Sequence, residues 1–396
     1  MRSCSLRVFT YPSLQEPLRA LLQFIANETA KDRRHLPCDL DDESCKIDSF
    51  GLTARQYTAD VPIRNALLNR CRIIANPDEA DIFLVPYLYG VSSTITWGKY
   101  WHFSEREAIK NLRTKGMKLL SEGLTSLPHL TAVTARRHVI LWTTDVQFVP
   151  HDGSKAAELV KNMTIVHLGD DLTPSRPDAK KSVLLPFRGS LTVPYRVSQW
   201  LPLDAPSARP FEERRLLLAN VNPARHATRA NLLKHLESRA ATLGVQRDVL
   251  LADSTNASAM LEVGEAAEKT LASKFCLCPT GDSKGFTARF YYSIALGCIP
   301  VRFDGWQRNL TQNGGAAYPF AHRIDWSRVV VEADTTDELG SGLLDTLLAM
   351  PKHEVEARMR YVREVAPLLM YGGDGREDAP QMLIEQLQSR FGRRHT

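Results

Sequence analysis

Residues 273–301 constrain the fold of this chain more than any other stretch. Ser273-Lys274-Phe275-Cys276-Leu277-Cys278-Pro279 reads as an apolar strand, and Thr280-Gly281-Asp282-Ser283 as a polar glycine loop. Thr287-Ala288-Arg289 then opens a helix, and Gly297-Cys298-Ile299-Pro300-Val301 stops it and starts a second strand. Such a unit places a loop and a helix start beyond the carboxyl end of a strand, where open α/β sheets bind ligands. A helix start offers unpaired N–H groups and partial positive charge. An arginine adds repulsion there unless an anion joins it. Arg289 in that first turn therefore implies a bound phosphate group. The bland alternative is a capped turn carrying a surface arginine.

The rest of the chain repeats the alternation. Strands are expected at Leu6–Tyr11, Ile82–Val85, His138–Trp142, Thr164–Leu168 and Val183–Phe187, with helices after Pro12 and over Asp60–Cys71 and Ser104–Gly123. Four prolines within Gly189–Pro210 mark a linker. A second set follows: a strand over Arg215–Asn220 and helices over Ala224–Ala241 and Ser258–Leu271. Two helices, Asp337–Ala349 and His353–Val365, close it, and the basic end Arg390–His395 is read as solvated. Strands alternating with helices imply parallel sheets covered on both faces. The fold class is thus α/β, with two Rossmann-like domains over 1–200 and 201–396, a division that suits 396 residues.

Composition excludes several classes. The net charge of +5 is a small difference between 50 basic and 45 acidic residues, and no basic run is interleaved with aromatics, so nucleic acid is not expected as a partner. No apolar run is long enough for a membrane span, and neither an anchor nor a secretory signal is visible. Cys276, Cys278 and Cys298 read as small buried residues, while Cys38 and Cys45 flank an acidic loop and suit a disulfide in an oxidising compartment. Four Asn-x-Ser/Thr sequons, at Asn27, Asn162, Asn256 and Asn309, point toward a lumenal protein.

The pattern Ser-Lys-Phe-Cys-Leu-x-Pro-x-Gly-Asp-Ser, then an arginine, then Gly-Cys-Ile-Pro-Val resembles the donor-site signature of exostosin-like glycosyltransferases. Glu79-Ala80-Asp81 before Phe83-Leu84-Val85-Pro86 is similar to that family's first-domain motif. The resemblance implies two Rossmann-like domains facing a cleft, the GT-B type. The first would bind the glycan acceptor and the second the nucleotide sugar. It implies an inverting transfer from a nucleoside-diphosphate donor, UDP-linked, with no obligatory metal or cofactor. It also implies Golgi residence and the possibility of homo- or hetero-oligomers. Donor contacts fall on Arg289, Arg229, Thr280, Gly281, Asp282, Ser283 and Thr287. The family commonly carries an acid three residues after the signature arginine, suited to a ribose, and here that position is Tyr292. This departure keeps open a catalytically weak or inactive protein that still binds nucleotide and glycan. Asp145, at the end of a first-domain strand, and Asp304, after Ile299–Phe303, are the candidate bases; His102, His151 and His167 are further ones. A sugar-nucleotide epimerase would need a G-x-G-x-x-G after an early strand, and none occurs.

Overall fold

A computed structural model of the chain describes residues 4–11, 59–85, 121–143, 155–169, 190–197, 209–221, 227–251, 263–279, 286–303, 318–333, 342–371 and 377–392. It divides into two compact units, Met1–Arg196 with Asp374–Thr396, and Val197–Gly373.

The first unit holds a six-stranded, all-parallel sheet in the order β2-β1-β3-β4-β5-β6. Its described elements are β1 (Arg7–Thr10), α1 (Asp60–Arg70), β2 (Arg72–Ile74), β3 (Ile82–Leu84), β4 (His138–Trp142), α2 (Lys155–Asn162), β5 (Thr164–His167) and β6 (Leu191–Thr192). The strands at the centre are continuous apolar runs because both sheet faces are covered; every residue of β3, β4 and β5 is buried. Asp81 ties the amino ends together. Its carboxylate accepts a fork from Arg7, Nε at 3.1 Å and Nη2 at 2.7 Å, plus the Arg7 backbone N–H at 2.9 Å. The acid of the first-domain motif is therefore a structural link between β1 and β3.

β2 and β6 depart from the sequence expectation. β2 is a three-residue edge strand directly after α1, too short to show a period, and β6 lies inside the stretch expected to be linker. The helix expected after Pro12, the first part of the one expected over Ser104–Gly123, and the strand expected at Val183–Phe187 lie outside the described residues; 121–126 are helical.

The second unit holds a five-stranded parallel sheet in the order β11-β10-β9-β7-β8. It runs β7 (Leu216–Asn220), α3 (Ala227–Leu243), β8 (Val249–Leu251), α4 (Val263–Leu271), β9 (Ser273–Leu277), α5 (Ala288–Ala295), β10 (Ile299–Phe303), α6 (Trp326–Val329), β11 (Val331–Ala333), α7 (Leu343–Ala349) and α8 (Lys352–Val365). Counted from each unit's first strand, both sheets share the order 2-1-3-4-5, so each reverses direction between its first and third strands. Gly297, with φ of +69°, ends α5 as expected of a glycine stop. The Cys298 N–H donates to the Ser293 carbonyl and the Gly297 N–H to the Ile294 carbonyl, each at 2.9 Å, satisfying carbonyls that the helix leaves open.

Two further findings correct the sequence reading. Cys276 and Cys298 are not independent buried thiols: they form a disulfide, as do Cys4 and Cys71, while Cys278 is free and buried. Cys38 and Cys45 lie outside the described residues. The chain also does not finish with the second unit's helices. A last helix, α9 (Ala379–Phe391), rejoins the first unit by packing on α1, so the stretch expected to form one domain over 201–396 is split near its end. Asp378 organises this return. Its carboxylate caps α9 by accepting the Gln381 N–H at 2.9 Å, and it accepts a two-pronged contact from Arg70 at 2.8 and 3.0 Å.

Candidate functional site

In the second unit the reversal point lies between β7 and β9, which pair directly. Ligands of open α/β sheets bind at the carboxyl ends of such strands. β9 is extended at that edge by the Cys278 N–H, which donates to the Val301 carbonyl at 2.8 Å. Thr280, Gly281, Asp282 and Ser283 lie outside the described residues, as does Asp304. The loop's far end is described. Phe286 is buried, and Thr287 occupies the N-cap of α5 in an extended conformation without a capping hydrogen bond from its side chain.

Arg289 stands in the first turn of α5. It is half-buried, and burial lowers its guanidinium pKa; the Tyr292 and Cys278 side chains act in the opposite direction. Its guanidinium carbon lies 5.4 Å from the centre of the Tyr292 ring. Ser293 Oγ donates to the Arg289 carbonyl at 2.9 Å and sits 3.6 Å from the Cys278 sulfur, which seats this turn on the end of β9. Burial pushes the Cys278 thiol up to about 12, so it is protonated and unreactive at neutral pH. Tyr292 is 1% exposed, and burial pushes its hydroxyl up to about 12. The position where the family places an acid is therefore a neutral buried ring beneath the arginine.

Arg229 stands in the first turn of α3, the helix that leaves β7, and is half-buried. Right-handed crossovers put α3 and α5 on opposite faces of the sheet. The two arginines thus begin the helices that leave the two strands flanking the reversal point.

Two further residues at this edge escaped the sequence reading. Asn220 ends β7 and is 1% exposed, a buried polar group at the reversal point; its signal was an amide closing an apolar run. Arg302, in β10, is buried with its guanidinium 4.6 Å from the Phe286 ring centre and 4.9 Å from that of Tyr318. Tyr318 in turn donates to Glu332 at 2.7 Å. Arg302 thereby holds the residue where the loop ends against β10 and β11. No local pattern signals this, since the three partners are far apart in sequence.

In the first unit Asp145 lies outside the described residues, as do His102 and His151. β4 ends one residue before Thr143, which is buried and whose Oγ1 accepts the Asp60 N–H at 3.3 Å. His167 is buried, its Nδ1 accepts the Gly169 N–H at 3.0 Å, and burial lowers it to about 4. His138 is buried as well. Its Nδ1 donates to the Thr134 carbonyl at 3.0 Å, so its Nε2 accepts from the Tyr11 hydroxyl at 2.7 Å, and burial lowers it to about 4. Among the described residues no group of three or more His, Cys, Asp and Glu side chains is placed to hold a metal, and no helix is long and apolar enough to cross a membrane.

Two Rossmann-like units in one chain, each a parallel sheet sharing the order 2-1-3-4-5, define the GT-B fold class. The family follows from the sequence. The model of the Exostosin GT47 domain matches residues 3–342, and the chain belongs to this glycosyltransferase family. No curated protein matches it significantly. Solved structures with remote likeness include a candidate UDP-N-acetylglucosamine 2-epimerase of Listeria monocytogenes, with 8% identity over 98% of this chain and 97% of that one and a TM-score of 0.37. The catalytic domain of starch synthase IV from Arabidopsis thaliana, bound to ADP and acarbose, has 12% identity over 83% and 75%, with a TM-score of 0.38. Anabaena HepE, in complex with UDP and glucose, has 9% identity over 97% and 100%, with a TM-score of 0.35. These likenesses are too remote to bear on activity.

Proposed function

We propose that the protein is an inverting glycosyltransferase that moves a sugar from a nucleoside-diphosphate donor, UDP-linked, to a glycan acceptor. The observation that carries this reading is Arg289, held in the first turn of α5 beside the sheet's reversal point in a chain of the exostosin GT47 family. Glycosyl transfer is slow when the departing diphosphate is poorly stabilised. A guanidinium fixed in a low-dielectric setting stabilises that charge as it develops, without reorganising at the moment of reaction. An anion arriving there also offsets part of the cost of burying the guanidinium. Arg229, Thr280, Gly281, Asp282, Ser283 and Thr287 complete the donor contacts in this reading, and Asp145 or Asp304 deprotonates the acceptor hydroxyl. The second unit takes the nucleotide sugar, the first the glycan, and no resident metal or cofactor is needed. Family membership supports a Golgi setting, alone or in a homo- or hetero-oligomer.

One observation favours a second reading. The neutral, buried Tyr292 leaves the usual ribose acceptor absent from its usual position, which suits a protein that binds donor and turns over weakly or not at all. The test is a panel of sugar nucleotides screened for thermal stabilisation, followed by UDP-release assays on the best binder. Arg289→Ala lowers turnover by about 100-fold or more, the scale of losing one electrostatic donor. Unchanged turnover in that variant overturns the assignment. Stabilisation by UDP without UDP release supports the second reading.

A further inference from the structure

The glycosyl-transfer reading makes no use of the sequons. Of the four, Asn162-Met163-Thr164 falls within the described residues. Asn162 is the last residue of α2 and is exposed, whereas Met163 and Thr164 are each 1% exposed as the chain enters β5. The Asn162 amide donates one hydrogen to the Glu158 carbonyl at 3.0 Å. An N-linked sugar replaces one amide hydrogen and leaves the other as a donor.

Position matters as much as exposure. Asn162 stands before the first residue of β5, at the amino edge of the first sheet, while ligands of such sheets gather at the carboxyl edge. A bulky sugar there leaves that edge clear. The Cys4–Cys71 and Cys276–Cys298 disulfides place folding in an oxidising compartment. In the folded chain the Thr164 hydroxyl is turned inward, donating to the Arg136 carbonyl at 3.4 Å, so the sequon is readable only before β5 pairs.

We propose that Asn162 carries an N-linked glycan, added before the first unit folds and retained on its amino edge. The bond formed joins Asn162 Nδ2 to the anomeric carbon of a lipid-linked diphospho-oligosaccharide. The bond broken joins that carbon to the phosphate oxygen; the lipid diphosphate departs with the electron pair, and the amide proton passes to a base.

The full chain, directed into the secretory pathway of a eukaryotic host by a cleavable leader, tests this. Peptide mapping of the purified protein should find the Asn162 peptide glycosylated in most molecules. Enzymatic glycan removal in heavy-oxygen water should then convert Asn162 to labelled aspartate. A variant that keeps Asn162 as its single sequon (Asn27→Gln, Asn256→Gln, Asn309→Gln) should still lose one glycan's mass on that treatment, and adding Asn162→Gln should abolish the loss. An unmodified Asn162 peptide in the secreted wild-type protein overturns the proposal, whatever the state of the other sequons. The mapping needs no variant to fold and no enzymatic activity.

Discussion

Replacing Arg214 should loosen the whole amino edge of the second sheet. Arg214 is 1% exposed, just before β7. Its Nη1 donates to the Ser273 carbonyl at 2.5 Å and to that of Thr270 at 3.3 Å, its Nη2 to Leu296 at 2.8 Å, and its Nε to Arg209 at 3.2 Å. Thr270 belongs to the last turn of α4 and Leu296 is the C-cap of α5, so one cation closes two helix ends where carbonyls and dipole charge are otherwise unsatisfied. Burial lowers the guanidinium pKa to about 10, which leaves it charged at pH 7. Hydrogen bonds to a charged group each contribute about 1.5–3 kcal/mol net, and each stranded carbonyl costs about 1–3 kcal/mol. Those figures do not add, since the desolvation cost of the cation disappears with it and water enters the gap. We expect Arg214→Ala to destabilise the second unit by about 3–5 kcal/mol, the range found on breaking buried charged contacts. Arg214→Lys should recover less than half, because an ammonium cannot span carbonyls on four separate segments. Two units preclude a single two-state analysis, so local stability is best read by native-state hydrogen exchange across 263–279 and 286–303 with urea titration. A loss below about 1 kcal/mol would refute the argument that these contacts brace the sheet.

Acid should weaken the first unit. His138 and His167 are held neutral with pKa values near 4, against an ordinary 6.5, so the unfolded chain binds protons first as pH falls. Stability should drop from about pH 6.5 to about pH 4 by up to about 3 kcal/mol per ring and then level; a flat urea midpoint across that window contradicts it. Joint replacement of Cys276 and Cys298 by alanine, which opens a loop of 22 residues in sequence separation, should lower stability by roughly 3 kcal/mol, read as a shifted urea midpoint under non-reducing conditions. No shift between oxidised and reduced wild-type protein would count against the bridge. Asp378→Ala removes a helix cap and the Arg70 contact together and should cost about 2 kcal/mol, with α9 becoming the first site of proteolytic cleavage; an unchanged cleavage pattern contradicts its anchoring role.

Most of the elements near the candidate site were legible. β4 coincides with the expected His138–Trp142 strand, and the strand–helix–glycine–strand unit over 273–301 has the expected order in β9, α5 and β10. Their signals are local: an apolar run, a helix opening, a glycine with positive φ. β2 and β6 were not legible, because two or three residues carry no period and their pairing partners lie elsewhere. α9 was missed altogether: Asp378 and Pro380 supply a cap and a proline in the first turn, but no local rule says which unit the helix joins. Arg302 and Arg214 were not legible either, because most of their partners lie far away in sequence.

The order of residues along the chain alone determined the α/β class, the family and the position of Arg289 at a helix start, since each follows from neighbours within a turn or a strand. Tertiary structure decided the strand order that sets the reversal point between β7 and β9, the pairing of Cys276 with Cys298, and the return of α9 to the first unit. Those outcomes depend on which distant surfaces bury against one another, a choice made by the packed whole and written in no single segment.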